Sequence, residues 1–462
     1  MNTKSSNTLD IASADPAANR PAPVPFATAL RFWFWLGCVS FGGPAGQIAV
    51  MHAELVDRRR WISEKRFLHA LNYCMVLPGP EAQQLATYIG WLLHGTRGGI
   101  AAGALFVLPS LAILMALTWA YLAFGQVPVI AGILYGIKPA VTAIVVHAAI
   151  RIGKRALNNA ALWAIAAAAF VAIFALHLPF PLIVIGAAML GYIGGRVAPE
   201  RFRTGGGHGK SKASSAPSLI DDDTVVAHAS YRSARLVSVL LIGLALWAAV
   251  YFALVASLGF DNPITRMASF FSGAALVTFG GAYAVLPYVF ESAVNQFRWL
   301  SAPQMIDGLA LGETTPGPLI MIVAFVGFVG GWQTDALAGA LGPGHLFASA
   351  ALAASVATWF TFLPSFVFIL AGGPLVEATR DDLRLTAPLT GITAAVVGVI
   401  LNLALFFAFH VLWPAGFGGT FEWPAALIGT AALIALLKYG VSVPKLIGVC
   451  ALLGLAIQFG LR

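Results

Sequence analysis

The chain has 462 residues, 59% hydrophobic and only 10% charged, with a formal net charge of +8. A soluble chain would carry about 25% charged residues. The mean hydropathy of +0.83 therefore excludes an ordinary water-soluble domain and points to a polytopic all-α membrane protein. Its apolar runs are about 20 residues long, enough to cross a bilayer. They are continuous rather than alternating, which excludes a β-barrel. The excess Lys and Arg lie between the runs, where they read as topology signals rather than a nucleic-acid surface.

Residues 1–24 are polar and rich in Ala, Pro, Ser and Asn, with no apolar core before a cleavage-like site. They read as a disordered N-terminal tail and not a signal peptide. Residues 25–196 hold six apolar runs, at about 31–52, 67–93, 98–124, 127–150, 160–177 and 181–196. Residues 197–235 read as a flexible, solvated cytoplasmic linker, with Gly205–Gly207 and Asp221–Asp223 inside it. The three adjacent Asp fit a solvated loop better than a metal site. Residues 236–258 form one apolar run with no counterpart before the first half. Residues 259–462 hold six more, at about 264–290, 305–331, 346–371, 386–411, 423–438 and 442–461. Cys38, Cys74 and Cys450 lie in apolar context without paired spacing, so neither a disulfide framework nor a metal site is expected.

The two halves are related. Phe41-Gly42-Gly43 and Pro78-Gly79-Pro80 recur as Phe279-Gly280-Gly281 and Pro316-Gly317-Pro318 at one constant offset of 238. Val56/Val294, Arg60/Arg298, Trp61/Trp299, Ser63/Ser301 and Leu71/Leu309 match at that offset. Leu108-Pro109-Ser110 then matches Leu363-Pro364-Ser365, and Gly136-Ile137 matches Gly391-Ile392, at an offset of 255. Repeats of this kind define the architecture before any single residue does. Two six-segment repeats and one unpaired segment make thirteen, and a lone crossing between even-numbered halves inverts the second. Inverted repeats recur in secondary transporters, with the substrate site between them.

Basic loops support that arrangement with the N-terminus inside, except for residues 54–66, which carry Arg58, Arg59, Arg60, Lys65 and Arg66. The conflict disappears if the Gly-Gly and Pro-Gly-Pro segments are re-entrant hairpins entering from opposite faces in the two halves. Both motifs break helices, because proline lacks the N–H and glycine tolerates unusual dihedrals. Broken backbone survives at membrane depth only where protein or a wet cavity covers it. A helix restarting after a break offers free N–H groups to an anion. One break alone reads as a kink; paired breaks at matched spacing read as a site. The candidate substrate-binding residues are therefore Gly42, Gly43, Pro78, Gly79, Pro80, Gly280, Gly281, Pro316, Gly317 and Pro318.

Ionisable residues within apolar runs are costly, and five stand out: Arg31, Glu81, Lys138, His147 and Glu313. Arg31 either snorkels or binds the anion. Lys138 sits mid-run beside Pro139, with Thr393 as its repeat partner, and is a candidate anion ligand. Glu81 and Glu313 flank the two Pro-Gly-Pro motifs without being repeat-equivalent, and either carry a coupling proton or cap a broken helix. His147 reads as a packed or interfacial histidine. The hydroxyls of Ser40, Thr278, Thr314 and Thr315 are further candidates for oxyanion binding. No metalloprotease, nucleophile-elbow or Walker motif occurs, so no enzyme is expected, and no cofactor or metal.

At Phe41-Gly42-Gly43-Pro44, Trp61-Ile62-Ser63 and Leu77-Pro78-Gly79-Pro80, the chain resembles the chromate ion transporter family. Thr278-Phe279-Gly280-Gly281, Trp299-Leu300-Ser301 and Thr314-Thr315-Pro316-Gly317-Pro318 repeat those marks in the second half. The likeness covers about 26–196 and 264–461 and is to the long, two-domain form. Leu77 stands where the second copy has Thr315, so that hydroxyl is not shared. The resemblance implies thirteen segments in two oppositely oriented halves in a bacterial inner membrane. It also implies export of chromate from the cytoplasm and chromate resistance. A sulfate or general oxyanion carrier is the alternative within transport. An ion channel, or a membrane-embedded enzyme or assembly factor, is the alternative outside it. The partners expected are chromate or sulfate and the lipid bilayer, with no nucleic acid; a homodimer is left open.

Overall fold

The structure, a computed structural model, describes residues 21–41, 43–125, 127–202, 217–221, 224, 228, 232–378 and 386–460. The expected N-terminal tail lies almost wholly outside the described residues, as do Gly42 and most of the linker. The described residues form helices joined by loops; the single strand-like pairing among them is a parallel bridge between Ile62 and Ile220. The first half comprises α1 (Phe26–Val39), α2 (Gly43–His52), α3 (Glu64–Val76), α4 (Glu81–Phe124), α5 (Pro128–Ala156), α6 (Ala160–Phe174) and α7 (Phe180–Val197). The one-turn α8 (Pro199–Phe202) and the long α9 (Ser233–Leu258) lead to the second half. There α10 (Pro263–Leu276), α11 (Ala282–Phe290), α12 (Ala302–Thr314) and α13 (Ile322–Gln333) precede the short α14 (Ala338–Leu341). The chain ends with α15 (Leu346–Ala378), α16 (Thr386–Leu412), α17 (Trp423–Tyr439) and α18 (Val443–Gly460).

Seven of these helices are long and apolar enough to cross a membrane: α4, α5, α7, α9, α15, α16 and α18. The apolar α1, α6 and α17, and the stretch Leu319–Gln333, are shorter. The sequence runs do not all become single helices, because the glycine and proline motifs cut four of them. Helix α4 is also two arms. His94 (φ −137°, ψ 25°) and Gly95 (φ 64°, ψ −156°) leave helical geometry, and the chain doubles back on itself. A Cβ on Gly90 would meet Ala102 at 2.5 Å, and one on Gly103 would meet Thr87 at 2.3 Å, so the arms lie side by side.

Helix α1 buries Ala29, Phe32, Trp33, Leu36 and Gly37, a stripe at helical spacing. Phe32 receives the ring of Trp61 at 5.0 Å and the guanidinium of Arg59 at 4.8 Å. The far end of the segment after Gly43 thus returns to the flank of α1. The repeat partners do the same, with Phe270 and Trp299 5.7 Å apart. In both halves the return is made by a π-helical turn, Ala53–Arg58 and Glu291–Gln296. Arg59 N donates to Glu54 O at 2.9 Å and Phe297 N to Ser292 O at 2.8 Å. The next residue is left-handed in each, Arg60 at φ 51° and Arg298 at φ 52°. Ser63 and Ser301 then accept backbone N–H bonds at the starts of α3 and α12.

The linker departs from the free segment expected. Leu219 N donates to Arg60 O, Ile220 N to Trp61 O and Ser63 N to Ile220 O, at 2.9, 3.1 and 3.0 Å. Arg66, 5% exposed, donates to the carbonyls of Asp221 and Thr224 at 2.9 Å. It also pairs with Glu377 at 2.6 Å, which in turn accepts from the Tyr88 hydroxyl. A buried guanidinium needs such partners, and the linker backbone supplies two of them. The Asp221 carboxylate accepts the Ser218 N–H; Asp222 and Asp223 lie outside the described residues.

Candidate functional site

The four helix breaks meet one another across the two halves. Gly79 N donates to Thr278 O at 2.7 Å, and Gly317 N donates to Ser40 O at 2.8 Å. These bonds are equivalent under the repeat, since Gly79 matches Gly317 and Ser40 matches Thr278. Each Pro-Gly-Pro motif is therefore docked on the residue before the other half's Phe-Gly-Gly. The packing beneath is exchanged in the same way. A Cβ on Gly79 would lie 2.3 Å from Ser365 Oγ, and one on Gly317 would lie 2.6 Å from Ser110 Cβ. Ser110 and Ser365 are the two serines of the matched Leu-Pro-Ser motifs. With φ of +126° and +103°, both glycines also occupy backbone space that a side chain would strain.

The remaining motif residues gather round these crossings. Gly43 (φ +69°) opens α2, while Gly280 (+79°) and Gly281 (+90°) lead into α11. Gly42 lies outside the described residues. Gly281 faces the Glu81 carboxylate, whose Oε1 is 3.7 Å from its Cβ position, and Gly280 faces Thr393 Oγ1 at 4.0 Å. Glu81, the first residue of α4, is thus brought to the start of α11 in the other half. Glu313 accepts the hydroxyl of Tyr283 at 2.6 Å, joining the residues before the second Pro-Gly-Pro to those after the second Gly-Gly.

Not every candidate is free to bind an anion. Lys138 Nζ lies 3.4 Å from Asp307 Oδ2, and the same carboxylate accepts from Tyr121 at 3.0 Å. The hydroxyls of Thr278 and Thr315 each donate at 2.6 Å to a carbonyl of their own helices, Ala274 O and Leu311 O. Thr314 donates to Leu311 O at 2.9 Å. Arg31 is exposed on α1, nine residues or roughly 13 Å along the helix from Ser40. Pro78 and Pro316 flank the docked glycines, and Pro80 and Pro318 precede the restarting helices. Among the described residues no group of three or more His, Cys, Asp or Glu could hold a metal.

Two glutamines also belong to the site. Gln84 Nε2 donates to Pro78 O at 2.8 Å, and Gln47 Nε2 donates to Gly317 O in the opposite half. The repeat alignment held a signal for them. At the offset of 238, Glu81, Gln83 and Gln84 stand against Leu319, Met321 and Ile322, and Gln47 stands against Val285. The backbone breaks are shared by the repeats, whereas Glu81 and the two glutamines have apolar counterparts in the second half.

A model of the family described as chromate transporter matches residues 27–192 and 265–455. The chain is 33% identical over 387 residues to the chromate transport protein of Pseudomonas aeruginosa, covering 82% of this chain and 80% of that protein. It is 27% identical over 429 residues to the chromate transport protein of Cupriavidus metallidurans, covering 92% of both. A probable chromate transport protein of Synechococcus elongatus is 26% identical over 419 residues, with 90% and 91% covered. No solved structure matches the chain. With both halves matched, and with the motifs that cross at its centre, this helical chain belongs to the chromate transporter family.

Proposed function

We propose that the protein is a secondary transporter that exports chromate from the cytoplasm of a bacterium across its inner membrane, by alternating access, and so confers resistance. The reciprocal docking of Gly79 on Thr278 and of Gly317 on Ser40 carries this reading. Two halves related by exchange of equivalent contacts suit an inverted repeat with a central site. The return of both post-glycine segments to the flanks of α1 and α10 supports re-entrant hairpins. In that reading the thirteen segments include four broken ones, and Arg58–Arg60 and Arg66 lie at the cytoplasmic face. Glu81 and Glu313 remain the coupling candidates. Lys138, neutralised by Asp307, contributes to the anion's field when that pair opens.

Direction follows from charge. Moving a dianion out of a negative interior gains about 4.6 kcal/mol per 100 mV, from about 2.3 per charge. That sustains a gradient on the order of 10³-fold, so export needs no coupled proton. The test is radiolabelled chromate uptake into everted membrane vesicles with an imposed inside-positive potential. Saturable, potential-driven accumulation is expected; accumulation no greater than in vesicles without the protein would sink chromate export. Flux abolished by excess sulfate would point instead to a general oxyanion carrier.

A further inference from the structure

Two seams run outward from the central crossings. In the first, α3 leads away from Gly79 and α15 leads away from Ser365, and side chains keep the two joined. The Tyr73 hydroxyl donates to Phe368 O at 3.1 Å, and a Cβ on Gly372 would run into that hydroxyl. The seam ends where Arg66 pairs with Glu377 at 2.6 Å beside the Tyr88 hydroxyl, roughly 18 Å along α15 from Ser365. In the second, α12 leads away from Gly317 and the second arm of α4 leads away from Ser110. It closes where Asp307 meets Lys138 at 3.4 Å and Tyr121 at 3.0 Å, roughly 16 Å along α4 from Ser110.

The two closures are built alike from different residues. Each unites a cation, a carboxylate and a tyrosine from three helices, α3, α15 and α4 in one and α5, α12 and α4 in the other. Neither is a product of the repeat. Gln304 and Leu122 stand at the equivalents of Arg66 and Glu377, and Thr393 and His69 at those of Lys138 and Asp307. Arg66 is the only buried cation among the described residues. A seam with a purely structural task would be as firm or firmer with hydrocarbon at these places, because the cost of burying two ions nearly offsets their attraction. The same balance suits a contact that must part. In the closed seam the ions neutralise each other, and in the open seam water takes each of them. Each closure also leaves one buried polar atom without a hydrogen-bond partner among the described residues, Arg66 Nε and Asp307 Oδ1, which favours wetting.

We propose that these two triads are the gates of alternating access. Arg66, Glu377 and Tyr88 close the path from the central crossings toward the cytoplasm. Lys138, Asp307 and Tyr121 close it toward the opposite face, and one gate parts only while the other is shut. The assignment rests on the carrier reading and its inverted halves. The linker belongs to the first gate, since the carbonyls of Asp221 and Thr224 hold the Arg66 guanidinium when Glu377 withdraws. Each seam is then a contact with two discrete arrangements, as such transitions require.

The experiment uses the full chain with Cys38, Cys74 and Cys450 replaced by Ala. It carries either Arg66→Cys with Glu377→Cys or Lys138→Cys with Asp307→Cys. Each double variant removes both charges of a pair, so no ion is stranded. A reducible bifunctional thiol reagent long enough to span the two lost side chains then ties the seam, and chromate flux into proteoliposomes is read under a fixed potential. Either tie should cut flux by roughly tenfold beyond the effect of a monofunctional reagent, because a cycle that cannot open a gate cannot turn over. Reductant should restore it. In the otherwise unaltered chain, Glu377→Gln and Asp307→Asn are compared by amide hydrogen exchange. Glu377→Gln should speed exchange in α3 and slow it in α12, and Asp307→Asn should do the reverse. A pair that only stabilises the fold would speed exchange at both seams. No chromate flux from the unaltered chain would sink the carrier reading itself. Flux that persists through the ties, or exchange that rises at both seams in either variant, would overturn the gates alone.

Discussion

At the residue scale, the ion pair of Lys138 and Asp307 shows how a position reads differently once its neighbour is known. Lys138 is conspicuous in the sequence as a cation inside an apolar run. Asp307 is not, because it lies shortly before the second Pro-Gly-Pro in a segment with other polar residues. The structure places them 3.4 Å apart, with Asp307 almost wholly buried. Lys138→Ala should therefore destabilise the protein by about 3 kcal/mol, because it strands a buried carboxylate. Adding Asp307→Ala should recover most of that loss. Thermal unfolding of the detergent-solubilised variants reads both outcomes, and a double variant no more stable than the single one would show that the pair carries no such role. Gln47 and Gln84 were legible only as a contrast between aligned repeats, since an isolated Gln in an apolar run has no spacing signature.

At the element scale, the helix breaks were legible and their partners were not. Glycine and proline mark local backbone geometry, and the matched offset marks both copies. Which break touches which is decided by packing between segments far apart in the chain, and no local pattern encodes it. The π-helical turns are hidden for a related reason. An added residue per turn costs little in any one residue's propensity, yet it rotates the downstream backbone, here carrying Trp61 onto Phe32 and Trp299 onto Phe270. Gly317→Ala should be strongly damaging. Its Cβ would fall 2.6 Å from Ser110 Cβ, and its φ is +103°. Gly280→Ala meets nothing nearer than Thr393 Oγ1 at 4.0 Å, so it should lose only about 1 kcal/mol from its dihedral. Folded yield and melting temperature should rank the two in that order, and equal losses would remove clash as the reason.

At the scale of the whole molecule, the two-half architecture is legible in the sequence because the repeats keep their register over long stretches. Orientation is a property of the membrane, and it is tested there. In the inverted reading, Arg59 and Arg298 sit at corresponding turns of the two repeats, on opposite faces. A membrane-impermeant thiol reagent should label Arg298→Cys in intact cells and Arg59→Cys only in everted vesicles. Labelling of both from one side would place the halves in parallel. The linker was the part least legible, because a Ser- and Gly-rich segment carries no mark of the one stretch that docks.

That docked stretch bears on how the protein is made. Arg66 finds a carbonyl partner at Asp221, 155 residues later in the chain, and its carboxylate partner at Glu377, 311 residues later. While the first half leaves the ribosome, its guanidinium has neither. An arginine stays hydrated until a counter-charge arrives, so the first turn of α3, which carries Arg66, must remain open to water through much of synthesis. The closing of this pair is then a late event in biogenesis, and a chain cut short before α15 carries a cation that only the finished protein can bury.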